Sequence, residues 1–258
     1  MAFTGFAARF VDRAKSVEYK LSNINNKNEK PHRRIEGCFG SMLEVRDLEC
    51  VRGDHRLFAG LNFQLQGGEL LRLRGSNGSG KTSLLRILCG LVEPANGEVL
   101  WKGESIRSQR DEFNAELLYL GHLNGIKSEL TGFENLRVSN TLRGETPTDD
   151  QIYEALGQIG LAGREDLPTQ VLSQGQKRRV ALARLLLSDA ALWVLDEPFV
   201  ALDVDAVAQL GQLIEAHLQK GRMVVYTTHQ EVVMRAGACL DVNLDLSAAG
   251  VEIMGQAE

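Results

Sequence analysis

The sequence predicts an α/β fold with a parallel sheet at its core and a block of helices inserted into it. Three observations carry this. From Met42 onward, short apolar strand-like runs alternate with helical patterns. The stretch from about 124 to 188 is almost purely helical in pattern, as an inserted subdomain would be. Two strand-like runs lead straight into polar motifs, one glycine-rich and one acidic.

Taken in order, strands are expected at 42–51, 61–65, 69–74, 97–101, 115–120, 192–195, 223–227 and 240–246. Helices are expected at 81–91, 133–142, 149–159, 174–187, 204–220 and 231–236. Residues 42–258 read as one domain. Residues 1–41 differ, with eight Lys/Arg against four Asp/Glu, a net of +4, whereas the other 217 residues hold 21 against 30. Residues 23–30 are polar, as a linker or disordered segment would be. Before them Phe3, Phe6, Phe10 and Val17 fall roughly on one helical face among basic residues. Three readings fit: an extension upstream of a start at Met42, an amphipathic targeting or surface-binding segment, and an ordinary helix. Charges break the apolar stretch, against a secretory signal.

Composition excludes several classes. The chain of 258 residues is 43% hydrophobic and 24% charged, which is globular. No apolar run reaches the ~18–20 residues of a membrane-spanning helix. A net charge of −5 lacks the basic footprint of a nucleic-acid binder. Cys38, Cys50, Cys89 and Cys239 lie far apart and read as reduced thiols. No C-x-x-C-H occurs, so no covalent haem is carried.

Gly75, Ser76, Asn77, Gly78, Ser79, Gly80, Lys81, Thr82 and Ser83 fit G-x-x-x-x-G-K-[ST] between a strand and a helix. The glycines let backbone N–H groups turn inward, and the helix adds its positive end. Lys81 supplies a mobile charge for the β- and γ-phosphates, and the Thr82 hydroxyl can ligate Mg²⁺. The loop alone specifies a nucleoside triphosphate. The run 192–195 ends in Asp196 and Glu197. Asp196 would reach Mg²⁺ through water, and Glu197 would polarise the attacking water, a role worth ~10²–10⁴ in rate. The pair favours hydrolysis over phosphoryl transfer.

Leu172, Ser173, Gln174, Gly175 and Gln176 resemble the L-S-G-G-Q signature of the ABC ATPase superfamily. The helix from Lys177 to Arg184 continues it, Ala201, Leu202 and Asp203 resemble the D-loop, and His229 resembles the switch histidine. The resemblance covers 42–250. It implies a P-loop NTPase core, meaning a RecA-like parallel sheet with an N-terminal antiparallel β subdomain, plus the inserted helical subdomain. It also implies a head-to-tail dimer with ATP and Mg²⁺ sandwiched between one phosphate loop and the partner's Ser173, Gly175 and Gln176.

Three positions depart from the family pattern. Gln174 replaces a glycine, so either its side chain points away from the nucleotide or the contact across the dimer is weakened. Gly121 and His122 stand where the Q-loop glutamine is expected. Imidazole suits Mg²⁺ poorly, so His122 either contacts the catalytic water or γ-phosphate, or packs at the subdomain hinge. The position of the adenine-stacking aromatic holds Arg52, whose guanidinium can stack; Phe58 is a rival.

The segments around Tyr119–His122, Gly125–Lys127, Glu129–Leu136, 172–185 and 193–198 together resemble the ATP-binding subunits of cytochrome c maturation (haem exporter) transporters. The resemblance implies an energiser on the cytoplasmic side of the inner membrane, the mitochondrial inner membrane being the alternative. It would pair with integral membrane permease subunits and release a haem-loaded carrier, binding neither haem nor nucleic acid itself. A soluble repair or translation ATPase would carry two cassettes or a coiled coil, and the 91 residues from Lys81 to Leu172 hold no heptad run. The signature and His229 exclude a kinase or GTPase. Lys81, Asp196, Glu197 and His229 argue against a non-catalytic cassette. His32, His55 and His217 read as surface or satisfied, Arg178, Arg179 and Arg184 as salt-bridge and subdomain contacts, and Trp101 as sheet packing.

Overall fold

The computed structural model describes residues 42–229, 238–246 and 254–256. Cys38, His32 and the helix expected at 231–236 lie outside the described residues.

The chain enters as β1 (Met42–Arg52) and returns as β2 (His55–Gln66). Arg52 pairs with His55 across a two-residue turn. Gly53 takes φ 59° there, the left-handed geometry such a tight hairpin needs. Sequence pattern yields only 61–65 of β2, because Gly60 interrupts the alternation before it. Then follow β3 (Glu69–Arg74), α1 (Lys81–Leu88), β4 (Asn96–Trp101), β5 (Glu104–Ser105), α2 (Arg110–Ala115) and β6 (Leu117–Leu120). Next come α3 (Gly132–Leu142), α4 (Asp149–Gln158), α5 (Gln174–Leu186), β7 (Leu192–Leu195), α6 (Val204–Gln219), β8 (Met223–Thr227), β9 (Ala238–Asn243) and β10 (Met254–Gln256).

Beyond β2, three boundaries differ from the sequence reading by more than a residue: the end of α1, the start of β6, and β9, which spans Ala238–Asn243 rather than 240–246 because Leu244–Leu246 turn as a 3-10 helix. α1 stops at Leu88 rather than 91, because Gly90 at φ 68° closes it. There Leu91 N donates to Arg86 O and Gly90 N to Ile87 O, a glycine-closed helix end. The strand expected from Ala115 begins at Leu117, because α2 runs through Ala115. α2 and β5 themselves escaped detection, being too short to show a period.

Two sheets form. An antiparallel one has the order β2-β1-β4-β5; the other has β10-β9-β3-β8-β7-β6, parallel except for β10. Alternation along β7 sends Leu192 and Val194 to one face and Trp193 and Leu195 to the other. The first face packs with Leu84, Leu85 and Leu88 of α1 and with Leu43, Leu61 and Leu65 of the antiparallel sheet. The second packs with Leu182 and Leu185 of α5 and with Leu210, Ile214 and Leu218 of α6. Burial on both faces explains why these strands read as continuous apolar runs.

The helices between β6 and β7 have a core of their own, built on Leu136, Ile152, Leu156, Leu161 and Leu172. α5 belongs to both cores, giving Val180 and Ala183 to the helical one and Leu182 and Leu185 to the sheet. Trp101 is fully buried, 5.6 Å from Phe113 centroid to centroid, which is sheet packing. His217 corrects the sequence reading. It is 3% exposed, its ring stacks on Trp193 at 3.5 Å, and Nε2 has no partner among the described residues.

Candidate active site at the strand ends

β3, β8, β7 and β6 lie side by side and parallel. Their carboxyl ends therefore bring together the loop 75–80, Thr227 with His229, Asp196 with Glu197, and Gly121 with His122. Such an edge is where open parallel sheets gather ligands.

The phosphate loop is shaped by its glycines. Gly80 has φ 103° and leads into α1, and a Cβ there would press on Leu57 and Phe58 at 3.2 Å. Gly75 has φ 146°, and a Cβ there would collide with Ser79 Oγ. Lys81 Nζ donates to Gly75 O at 2.7 Å and Ser76 O at 2.9 Å, so its charge lies over the loop. Asp245 accepts from Ser76 N at 2.8 Å and Ser76 Oγ at 2.8 Å, bracing the loop's outer side. Those contacts and nearby Lys81 hold the Asp245 carboxyl below the usual range. Sequence reasoning missed Asp245, whose partner lies 169 residues away.

At the acidic pair, Asp196 is 2% exposed. It accepts from Thr82 Oγ1 at 3.0 Å and from Thr227 Oγ1 at 2.8 Å. Glu197 takes φ 48°, a left-handed conformation rare for a residue with a side chain. Its N–H donates to Thr227 Oγ1 at 2.8 Å, and its Oε1 lies 3.2 Å from His229 Nε2. Thr227, fully buried, thus organises both acids; sequence reading took it only as the end of a strand.

The residues fit Mg²⁺. Thr82 and Asp196 present hard oxygens 3.0 Å apart, and the buried Ser79 Oγ has no hydrogen-bond partner among the described residues, leaving its O–H for a phosphate oxygen. Among the described residues no group of three or more His, Cys, Asp or Glu could hold a metal. A cation here would accordingly be held by Thr82, nucleotide phosphates and water, with Asp196 behind them.

The signature lies at the start of α5. Ser173 caps that helix, accepting from Gln176 N at 3.2 Å, and Gln176 Oε1 accepts from Ser173 N at 2.9 Å. A Cβ on Gly175 would stand 2.9 Å from Ala201 O, so glycine is needed for that approach. Gln174 is exposed. No hydrogen bond joins Ser173, Gly175 or Gln176 to residues 75–83 among the described residues. His122 is exposed, without a side-chain hydrogen bond among the described residues. Arg52 is exposed at the tip of the β1–β2 hairpin. Phe58 is 2% exposed and packs on Gly80, so its ring has no free face for a base.

The basic stripe after the signature divides. Arg179 pairs with Asp203 at 2.5 Å, as the sequence suggests. Arg178 is buried and Arg184 half-buried, and neither forms an ion pair among the described residues. Arg178 donates instead to backbone carbonyls of the acidic pair.

A phosphate loop, a strand-end Asp-Glu pair and a histidine beyond the neighbouring strand make this an ABC-type ATPase. The ABC transporter family matches residues 58–200. A cytochrome c biogenesis ATP-binding export protein, CcmA, of Dechloromonas aromatica (strain RCB) is 60% identical over 203 residues, 79% of this chain and 100% of that one. Its namesake from Methylococcus capsulatus (strain ATCC 33009 / NCIMB 11132 / Bath) is 51% identical over 202 residues, 78% of this chain and 97% of the relative. Among solved structures, an ABC transporter ATP-binding protein from Pyrococcus furiosus matches with TM-score 0.68 and 26% identity, over 80% of this chain and 98% of that one. An ATP-binding cassette in a dimeric post-hydrolysis state bound to ADP and Pi shares the fold, with TM-score 0.69 and 22% identity over 83% of this chain and 98% of that one. The chain belongs to the ABC transporter family and, within it, to the CcmA family of cytochrome c biogenesis ATP-binding export proteins.

Proposed function

We propose that this chain is the ATP-hydrolysing motor of an export complex in cytochrome c biogenesis. It works as an ATP-sandwich homodimer with integral haem-exporter permease subunits, peripheral on the cytoplasmic face of the inner membrane. Hydrolysis drives release of a haem-loaded carrier; the chain itself binds neither haem nor nucleic acid. Support comes from the 60% identity to a named export protein along its whole length. In addition, no described helix is long and apolar enough to cross a membrane.

One observation carries the chemistry: Glu197 Oε1 stands 3.2 Å from His229 Nε2, beside the Asp196–Thr82 contact at the phosphate loop. Loop N–H groups from 76–83 and Lys81 hold the phosphates, and Arg52 stacks on the adenine. Thr82, with Asp196 behind it, would hold Mg²⁺, which would supply charge neutralisation for the phosphates. Glu197 orients a water and accepts its proton as the water oxygen attacks the γ-phosphorus and the bond to ADP breaks. His229 steadies the γ-phosphate and the Glu197 carboxylate. Ser173, Gly175 and Gln176 of the partner close the site from the other side, at a helix N-terminus suited to an anion. His122 faces the catalytic water or γ-phosphate.

Glu197→Gln should keep ATP bound and remove the proton acceptor. In cells whose only copy carries it, a haem stain should show c-type cytochromes lost and b-type cytochromes intact. Normal c-type cytochromes beside a present, ATPase-dead protein would overturn the pathway assignment.

A further inference from the structure

We infer that Arg178 is a positioning residue for Glu197, fixing the backbone that aims the carboxylate and tying it to the segment 121–124. This rests on Glu197 being the base of the hydrolytic reaction.

Arg178 stands one helical turn before Leu182, which packs on the parallel sheet. An aliphatic side chain would suit that place. Instead a guanidinium lies there, 5% exposed. It forms no ion pair among the described residues. Burial pulls its pKa down, against the attraction of the Asp196 and Glu197 charges. An internal cation without a bonded carboxylate is costly, so its contacts have to be worth keeping.

Those contacts converge on the base. Nη2 donates to Asp196 O at 3.1 Å and to Glu197 O at 2.9 Å, while Thr227 Oγ1 takes the Glu197 N–H. The peptide planes on both sides of the Glu197 Cα are therefore held, by two side chains from two different elements. This is what a residue kept at φ 48° requires, since the conformation is unfavourable on its own. With both planes fixed, the side chain leaves in one direction, toward His229 Nε2.

The other end of the guanidinium reaches the hinge after β6. Nη1 donates to Asn124 Oδ1 at 3.1 Å and to Gly121 O at 3.3 Å. A shift of 121–124 is thus felt at the Glu197 carbonyl through one rigid planar group. The same helix begins with Ser173 and Gly175, so the signature and this clamp move as one piece.

The test is a kinetic cycle on the full chain, with ATP affinity read by a fluorescent ATP analogue. Arg178→Gln should lower kcat by about ten-fold or more while Kd stays within about three-fold. Arg178→Lys keeps the charge but not the fork, and should recover part of the loss, to within about five-fold of the parent. In a Glu197→Gln background, Arg178→Gln should add less than about two-fold, because both act through one group. A parental kcat in Arg178→Gln, a loss carried by Kd, or full additivity on Glu197→Gln would each overturn the inference. If the Gln variant does not fold, Arg178→Lys decides: a reduced kcat at parental Kd supports it and an unchanged kcat overturns it. A parental kcat in Glu197→Gln alone would instead overturn the assignment of the base.

Discussion

At Glu197 the backbone is turned left-handed and held on three sides, by the Thr227 hydroxyl and by two bonds from Arg178. His122, at the end of the next strand, is exposed and unbonded among the described residues. If its imidazole serves the water or γ-phosphate, His122→Gln should change ATPase activity or its coupling to transport by several-fold. Identical rates and coupling in the variant would remove His122 from the site. Residues of this kind differ in how legible they are. Lys81, Thr82, Asp196 and Glu197 sit in contiguous motifs whose chemistry can be read locally. Thr227, Asp245 and Arg178 act on partners 18 to 169 residues away. Only the strand order brings those together, and no local spacing encodes it.

Among the elements, α3, α4, α5 and α6 were legible to within a residue, while α1 ended three residues early at the Gly90 closure. α3, α4 and α5 each begin with a capping box, at Thr131, Thr148 and Ser173. α2 and β5 were not, since six and two residues hold no period. α6 contains the clearest energetic oddity, His217 stacked on Trp193 in the core. Burial first, then Arg222 and Lys220, push its pKa down to about 3. The neutral ring is the folded form, so the unfolded chain binds a proton the fold refuses. Stability is then unaffected above pH ~6.5 and falls as pH drops from there toward 3, by about 2 kcal/mol at pH 5. His217→Phe should remove this term. Between pH 7.5 and 5.0 the parent's Tm should fall about 4 °C or more further than the variant's. Equal falls would show that the ring is not held neutral.

For the whole molecule, the parallel sheet was readable because its central strands are apolar on both faces and the phosphate loop marks where one of them ends, whereas the antiparallel sheet, whose β2 alternates buried and exposed residues, came only with the family resemblance. What a single chain does not hold is a bond from Ser173, Gly175 or Gln176 to its own phosphate loop, among the described residues. The reading that joins these facts is a site completed by a second copy. The most direct measurement is the solution mass and bound nucleotide of the Glu197→Gln chain with ATP and Mg²⁺, by light scattering and nucleotide extraction. The expected result is twice the 28.4 kDa chain mass, with ATP retained by each chain, and a return to single chains when Ser173→Arg is added. Single chains holding a full complement of ATP would contradict the shared site.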